Sequence, residues 1–412
     1  MTLPRTHRRT FAAVGALAGA AMVTAMVGVP ATAAPSVGEI RSAGGATAVA
    51  DSYIVVLKDS AVGGRAGTRQ GAVKSTAKSL ADRFGGTVGN VYGDALNGFS
   101  VKLSEQAAKR LAAHPSVDYV EQNHTVTTQA TQFNPPWGLD RIDQRNRPLS
   151  ASYTYTSTGA GVTAYIIDTG IRKSHVDFAG AAVDGIDTID GALPADDCNG
   201  HGTHVAGTVG GNAYGVAKDV RLVAVRVLNC AGSGTWDQVI AGVNWVTGNH
   251  LPGQPAVANM SLGGGLTAAL NTAVANSIAD GVTYAVASGN SYGANACNYS
   301  PASVSTALTV NASDSNDARA TFSNIGTCTD LFAPGVSVLS AWSTSDTATN
   351  TISGTSMASP HVAGAAARVL QLNPSWTPAQ VHSYIVTQAT PNVISNAGTG
   401  SPNRLLYAAP TS

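Results

Sequence analysis

The sequence predicts an α/β fold in which a doubly wound, mostly parallel sheet is preceded by a small ferredoxin-like α+β domain. Two observations lead to this prediction. Beyond residue 130, near-continuous apolar segments alternate with helical patterns, and strands without polar alternation are typical of a sheet that helices cover on both faces. Between 52 and 129, the order strand, helix, strand, strand, helix, strand is that of a ferredoxin-like domain. A length of 412 residues has room for both units.

The first 33 residues have the composition of an export signal. Three arginines (Arg5, Arg8 and Arg9) precede an apolar run over 11–29 and small residues at 31–33, so cleavage is expected after about Ala33. A membrane anchor is the alternative, but the run is Gly-rich and only marginally long enough to span a bilayer. We therefore expect a secreted, extracellular protein with no membrane segment in its mature form.

The elements of the smaller domain follow a stretch at 34–51 that is rich in Gly, Ala and Ser and that we interpret as a linker. Dense β-branched and aromatic residues predict strands, and apolar periodicity predicts helices. The predicted strands are 53–58, 88–92, 98–103 and 117–122, and the predicted helices are 72–84 and 105–113.

The larger domain, 130–412, begins after a polar stretch. Its apolar segments have the length of buried strands, and turn residues separate them from the helical patterns. The strand segments are 162–168, 220–228, 256–262, 282–288 and 307–310, and the clearest helical patterns are 235–247 and 267–280.

The charge distribution disfavours a nucleic-acid partner. The chain has 24 basic and 24 acidic residues, and its three sections, 1–33, 34–129 and 130–412, are all weakly charged. Residues 34–129 have 10 basic against 8 acidic residues, and residues 130–412 have 11 against 16. Binding through phosphate neutralisation needs a strongly basic surface, so we do not expect it here.

The four cysteines, Cys198, Cys230, Cys297 and Cys328, all lie in the larger domain. An even count in an exported protein indicates two disulfides. We favour Cys198 with Cys230 and Cys297 with Cys328, because this pairing closes two loops of similar length; the other two connectivities stay open. A zinc site is the alternative, which the absence of a Cys-x-x-Cys pair disfavours.

Three segments place a reactive side chain where a strand ends or a helix begins. Asp168 closes the first apolar strand of the larger domain, His201 lies in NGHGTHVAG (199–207), and Ser356 lies in SGTSMASPHVAG (353–364). A serine hydroxyl becomes a nucleophile at neutral pH when a base accepts its proton and an acid orients that base. Backbone N–H groups at the helix start after Ser356, together with the amide of Asn290, can stabilise an oxyanion.

With these segments, the sequence resembles the subtilisin-like serine proteases, in particular the proteinase K branch and its aqualysin-like members. The segment ATQFNPPWGLDRIDQR (130–145) and the four cysteines add to the resemblance, which spans about 130–407. It implies that Asp168 orients His201, that His201 is the general base and then the general acid, and that Ser356 attacks to form an acyl-enzyme. It also implies an oxyanion hole formed by Asn290 and the Ser356 N–H.

The resemblance extends to the smaller domain, which is similar to an inhibitor-type propeptide. It implies that the protein is made as a precursor and processes itself near the bond between Gln129 and Ala130. Residues 52–129 would then act as an intramolecular inhibitor and folding aid.

The same resemblance implies that protein and peptide substrates bind in extended form, pairing as an added strand. Backbone pairing does not select a sequence, so we expect broad specificity with an apolar or aromatic preference. Asn298, with Tyr299, is expected to shape the primary pocket. Trp236 is expected to border the cleft, and a position in the core is the alternative for it. The residues expected to line the cleft are Gly232, Ser233, Gly234, Trp236, Ser261, Leu262, Gly263 and Asn298.

Calcium is implied as a structural ion, because the matching positions offer the oxygen ligands that suit a hard cation. Solvated surface aspartates are the alternative. The expected ligands are Asp330 with the carbonyls of Ser305 and Ala307 at one site, and Asp140, Asp143 and Gln144 with Ser150 and Ser152 at a second.

Two other functions stay open. Residues 289–293 fit the G-x-S-x-G elbow of α/β-hydrolases, with Ser291 as nucleophile followed by Asp330 and His361, which would indicate an esterase or lipase. An elbow must enter a helix, whereas Gly, Asn and Pro follow here, and Asp168 and His201 would have no role. A catalytically inactive secreted binding protein is the second alternative. We expect a monomeric serine endopeptidase.

Overall fold

The structure is a computed structural model that describes residues 37–44, 48–63, 69–125 and 130–408. The predicted export signal lies outside the described residues. The chain divides into two compact units, with the boundary between Thr125 and Val126.

The first unit is a five-stranded sheet with helices, in the strand order β1-β5-β2-β4-β3. All neighbours are antiparallel except β1 and β5. The order β5-β2-β4-β3, with a helix before β3 and another before β5, is the predicted ferredoxin-like arrangement. The elements are β1 (Ile40–Arg41), β2 (Ala48–Leu57), α1 (Asp59–Val62), α2 (Arg69–Phe84), β3 (Thr87–Tyr92), β4 (Gly98–Lys102), α3 (Glu105–Ala112) and β5 (Val117–His124).

The interval predicted as a linker, 34–51, contains strand residues and needs correction. Ile40 pairs with Val120, and Ala48 pairs with His124. Both partners lie in β5, far along the chain, so the small, Gly-rich composition of the interval does not reveal the pairing.

The second unit contains a large sheet, three two-stranded sheets and helices that pack on both faces of the large sheet. Its first half consists of β6 (Ala130–Phe133), α4 (Trp137–Ile142), β7 (Ser152–Tyr155), β8 (Thr163–Asp168), β9 (Ala182–Asp187), α5 (His201–Gly210), β10 (Arg221–Arg226), α6 (Trp236–Asn249), β11 (Ala256–Met260), β12 (Gly264–Gly265) and α7 (Ala268–Asp280). Its second half consists of β13 (Val282–Ala287), β14 (Tyr299–Ser300), β15 (Leu308–Ser313), β16 (Leu331–Pro334), β17 (Val338–Ala341), β18 (Thr349–Ile352), α8 (Thr355–Leu372), α9 (Pro378–Gln388), β19 (Thr390–Pro391) and β20 (Arg404–Leu405).

The large sheet has the order β19-β20-β16-β15-β13-β11-β8-β10-β9, and only β19 and β20 are antiparallel neighbours. Every residue of β11, β13 and β15 is buried, as expected for strands without polar alternation. Ile166 of β8 belongs to the core on the side of α5 and α8, and Ile167 belongs to the core on the side of α6 and α7. The doubly wound α/β prediction is confirmed.

Two disulfides and one buried ion pair join distant parts of this unit. Cys198 is bonded to Cys230 and Cys297 to Cys328, with Cα separations of 5.0 and 5.3 Å, which is the pairing favoured from the sequence. Arg141 has no exposed side-chain surface and donates to both carboxylate oxygens of Asp317, at 2.7 and 3.0 Å.

Among the helices of the described residues, none combines the length and the hydrophobicity that a membrane-spanning segment needs.

Candidate active site

The carboxyl end of β8 places a carboxylate in the interior. Asp168 is fully buried, and its Oδ1 accepts a hydrogen bond from the Thr169 N–H at 2.8 Å. The same oxygen lies 2.7 Å from Nδ1 of His201. The other oxygen, Oδ2, is buried without a hydrogen-bond partner among the described residues. The carboxylate is therefore desolvated and directed at a single imidazole.

His201 is the first residue of α5, and a glycine turn sets its position. Gly200 has a φ of +111°, which favours glycine, and a Cβ there would collide with the ring of Trp342. Asn199 accepts the His201 N–H on its side-chain oxygen at 3.1 Å. Burial lowers the pKa of His201, but the negative charges of Asp168 and Asp197 and the hydrogen bond to Asp168 outweigh it, so the pKa is raised above its ordinary value.

Ser356 is the second residue of α8 and is half-buried. Its hydroxyl donates to the carbonyl of Ser261 at 3.0 Å, and no hydrogen bond joins it to His201 among the described residues. Without substrate, catalytic hydrogen bonds are often long or poorly aligned, and they tighten when substrate binds.

Asn290 is held against the start of α8 by Thr355. The N–H and hydroxyl of Thr355 donate to Asn290 Oδ1 at 2.9 and 3.0 Å, which fixes the amide orientation. A Cβ placed on Gly354 would lie 3.6 Å from both Asn290 Nδ2 and the Ser356 backbone N. The two donors therefore border the same space, as an oxyanion hole requires.

Two adjoining cavities share the segment 262–264. A groove of about 740 Å³ is lined by His201 and by predicted cleft residues, and a pocket of about 330 Å³ is lined by Ser356, Asn290 and Tyr299. The predicted residues that line the groove are Gly232, Ser233, Gly234, Trp236, Ser261, Leu262 and Gly263.

Asn298 is a correction to the predicted cleft. Of the two residues predicted for the primary pocket, Tyr299 lines the pocket of about 330 Å³, whereas Asn298 lines neither this pocket nor the groove. Asn298 ends a short 3₁₀ helix (Ala296–Asn298), whereas Tyr299 pairs with Gly265 in the antiparallel sheet of β12 and β14 at the pocket wall. Trp236 combines both predicted positions, because it lines the groove and also packs against the core.

The predicted calcium ligands differ in how well their oxygens fit an ion. Asp143 Oδ2 accepts from the Thr154 N–H at 2.7 Å, while Oδ1 is buried without a hydrogen-bond partner among the described residues. Burial, and to a smaller extent the charge of Asp140, raises the pKa of Asp143 to about 6. Asp140 already accepts from Ser150 and Ala151 at 2.8 to 3.0 Å. A buried, unpaired carboxylate oxygen beside a second carboxylate fits a hard cation.

The site predicted at Asp330 is more fully occupied by protein groups. Its Oδ2 accepts from the Thr309 N–H at 2.8 Å, and its Oδ1 lies 3.3 Å from His382 Nε2, without the alignment of a hydrogen bond. Within the described part of the chain, no group of three or more His, Cys, Asp or Glu side chains is arranged to hold a metal.

The esterase alternative finds little support. Ser291 lies in a loop after β13 and is not followed directly by an α-helix; the next element is the short 3₁₀ helix Ala296–Asn298. His361 is buried in α8 with Nδ1 against the Met357 carbonyl at 2.8 Å, and burial lowers the pKa of His361 to about 4.

Several residues of the site were missed by the sequence reasoning, among them Thr169, Asp197, Asn199 and Thr355. Each is adjacent to, or a few residues from, a predicted catalytic group. Small polar residues flanking the reactive ones are the signal that would have identified them.

A buried carboxylate paired with an imidazole in a groove, with a serine at a helix start in the adjoining pocket, is the set of groups that a serine hydrolase uses. The family model described as Subtilase family matches residues 159–405, and the model described as Peptidase inhibitor I9 matches residues 52–129. The chain is 58% identical to the extracellular serine proteinase of Thermus sp. (strain Rt41A), over 78% of this chain and 78% of that protein.

Two further relatives agree. The alkaline serine exoprotease A of Vibrio alginolyticus is 49% identical over 88% of this chain and 68% of its own length. The crystal structure of a cold adapted subtilisin-like serine proteinase matches with a TM-score of 0.65 and 53% identity, covering 67% of this chain and 98% of that one. The chain therefore belongs to the subtilase family, and it is a serine proteinase whose first unit matches peptidase inhibitor I9.

Proposed function

We propose that the chain is a secreted serine endopeptidase in which Ser356 attacks the peptide carbonyl, His201 transfers the proton and Asp168 orients His201. The observation that carries this proposal is the 2.7 Å contact between the buried Asp168 carboxylate and His201 Nδ1. This contact fixes the tautomer with the proton on Nδ1, so Nε2 is free to accept a proton.

The reaction begins when the Ser356 hydroxyl turns from the Ser261 carbonyl toward His201. As Oγ forms a bond to the peptide carbonyl carbon, its proton passes to Nε2, and the resulting imidazolium is stabilised by Asp168. His201 then gives that proton to the leaving amine, which leaves an acyl-enzyme. Water attacks the ester by the same steps in reverse, and Ser356 regains its proton.

The oxyanion of each tetrahedral intermediate is stabilised by Asn290 Nδ2 and the Ser356 N–H. The two hydrogen bonds from Thr355 to Asn290 Oδ1 hold the amide with its N–H₂ directed away from them. Because these donors are oriented before the reaction, the oxyanion requires little reorganisation.

The substrate is an extended peptide that lies between 261–264 and 232–234 and pairs with their backbones. Its side chain at the scissile residue enters the pocket of about 330 Å³, where Ala287, Gly263 and Tyr299 offer apolar and aromatic contacts. Broad specificity with an apolar or aromatic preference follows.

The protein is made as a precursor that it processes itself. The match of 52–129 to peptidase inhibitor I9 supports an intramolecular inhibitor that is cut near residue 129. Export is supported by the signal composition of 1–33 and by two disulfides. A relative named extracellular points the same way.

Structural calcium binds best at Asp140 and Asp143. The unpaired Oδ1 of Asp143 supports this site more than Asp330, whose oxygens already face Thr309 and His382. A bound Ca²⁺ would neutralise the two carboxylates and stabilise the contact between α4 and β7.

Labelling with a serine-directed phosphonate tests the nucleophile and separates the protease from the esterase. We expect one adduct, located on Ser356 by peptide mass spectrometry. Ser356→Ala should lower turnover roughly a millionfold and leave the protein at precursor mass. The matched variant Ser291→Ala should mature and cleave peptides as the parent does. An adduct on Ser291 would overturn the proposal.

A further inference from the structure

Asp197 lies in the loop before α5 and is the acceptor of five hydrogen bonds. Its Oδ1 accepts from the Thr169 hydroxyl at 2.9 Å and from the N–H groups of Asn199 and Gly200 at 2.9 and 2.8 Å. Its Oδ2 accepts from the N–H and hydroxyl of Thr203 at 2.9 and 2.6 Å. Asp197 is only 8% exposed. One carboxylate therefore fixes both sides of the turn that carries His201.

The same carboxylate reaches the segment that carries Asp168. Thr169, which donates to Asp197, directly follows Asp168 and donates its N–H to the Asp168 carboxylate. The Thr169 hydroxyl also accepts the Gly202 N–H at 2.8 Å. The end of β8 and the start of α5 are thus linked through the Thr169 hydroxyl and Asp197.

We propose that Asp197 is a positioning residue of the catalytic machinery, which holds Asp168 and His201 in their mutual geometry and places a second negative charge near the imidazole. This inference rests on the proposed function. Asp197 does not touch substrate; it acts through the two residues that it aligns.

The electrostatic part of this role follows from the charges around His201. Asp168 and Asp197 both favour the imidazolium, while His204, one turn along α5, has its Nε2 against the Val338 carbonyl at 3.0 Å and its pKa is lowered mainly by burial. The cations on the segment after β8 are already engaged: Arg172 pairs with Asp346, and Lys173 pairs with Asp184 and Asp196. Asp197 is therefore left as an anion that makes no ion pair among the described residues and acts on His201.

Three variants separate positioning, charge and stability. Asp197→Asn keeps the shape but removes the charge and one acceptor oxygen. Thr169→Val removes the hydroxyl link and keeps the charge. Asp177→Asn is the matched control, because Asp177 is also buried and anchors the loop at the other end of α5 through the Ala213 N–H.

We expect Asp197→Asn to lower kcat/KM by about 10- to 100-fold, the cost of small displacements in an active site, mainly through kcat. The acid limb of the pH profile of kcat/KM should move to lower pH in this variant, because loss of the negative charge makes the imidazolium less stable. Thr169→Val should lower kcat without moving that limb, and Asp177→Asn should do neither. Should Asp197→Asn fail to fold, Thr169→Val still tests the positioning link.

The readout is the rate of inactivation by a sulfonyl fluoride against pH, which can be followed in variants of low activity, together with peptide kinetics and thermal unfolding. The inference is overturned if Asp197→Asn changes the unfolding temperature but neither kcat nor the acid limb, or if Asp177→Asn moves the limb equally. Phosphonate labelling of Ser356 in the parent protein keeps the proposed function distinguishable from these outcomes.

Discussion

Ser261 and Ser356 are joined by two reciprocal hydrogen bonds. The Ser261 hydroxyl donates to the Ser356 carbonyl at 2.7 Å, and the Ser356 hydroxyl donates to the Ser261 carbonyl at 3.0 Å. Asn259 donates to the Ser261 hydroxyl at 2.8 Å and accepts from Ser359 at 2.7 Å, so β11 is bonded to α8 at several points. The strand that leads into the cleft thereby also fixes the nucleophile.

Ser261→Ala should lower kcat about tenfold with little change in KM, because the Ser356 carbonyl and the Asn259 amide each lose a partner. Steady-state kinetics on a peptide anilide measure this. Ser277→Ala is the control, since its hydroxyl is equally buried but bonds to Tyr284 behind the sheet. Equal kinetics for the two variants would contradict the role of the reciprocal pair.

Asn290→Ala should lower kcat about 100- to 1,000-fold and leave KM nearly unchanged, because Nδ2 acts on the oxyanion and not on the ground state. Thr355→Val removes one of the two hydrogen bonds that orient this amide and should cost less than about tenfold. Single-turnover acylation rates compare the two variants. A similar loss in both would mean that Asn290 supports the helix start and does not stabilise the oxyanion.

Activity should fall as the pH drops through the pKa of His201, which its acidic neighbours raise above the usual value for histidine. Only the neutral imidazole accepts the Ser356 proton, so kcat/KM rises with pH until His201 is deprotonated. Burial lowers the pKa of His204 and of His361 to about 4, so neither ring takes up a proton in this range. The pH profile of kcat/KM is the measurement, and an acid limb that lies below the ordinary histidine range would disagree with the assigned base.

Calcium removal should lower the unfolding temperature of the phosphonate-inhibited enzyme, because chelation leaves Asp143 Oδ1 buried and unpaired. Asp143→Asn should abolish this response, and in chelator it should be at least as stable as the parent. Asp330→Asn is the comparison for the other predicted site and should keep the response. Loss of the response only in Asp330→Asn would move the ion there.

Asp317→Asn should destabilise the second unit by about 3–5 kcal/mol, because it leaves the fully buried Arg141 without its counter-charge. Asp346→Asn breaks the exposed pair with Arg172 and should cost much less, because solvent screens that pair. Thermal unfolding of the inhibited enzymes measures both, and comparable losses would refute the distinction between buried and exposed pairs.

The sheet of the larger domain could be predicted because each of its strands is recognisable from the local sequence. The apolar segment 162–168 became β8 (Thr163–Asp168), and 282–288 became β13 (Val282–Ala287). Burial on both faces requires unbroken apolar runs, and a single sequence displays them. The convergence of Asp168 and His201 was likewise predictable, since parallel strands end at one edge of the sheet.

What sequence could not supply depends on distant partners or on the direction of one side chain. Asp196 and Asp197 are adjacent and identical in type, yet Asp196 is exposed and pairs with Lys173 while Asp197 is buried under five donors. The resemblance named the neighbours Asn298 and Tyr299 together for the primary pocket, and only Tyr299 lines it.

The position of β8 in the large sheet has a consequence for how the enzyme loses activity through autolysis and heat. β8 is an interior strand, hydrogen-bonded to β10 on one side and β11 on the other, whereas short strands such as β19 form the margin. Fraying starts at margins and loops, so amide protons of β8 should be among the last to exchange with solvent. Attack by a second enzyme molecule on frayed loops would leave this strand intact, and heat inactivation should therefore coincide with collapse of the whole unit.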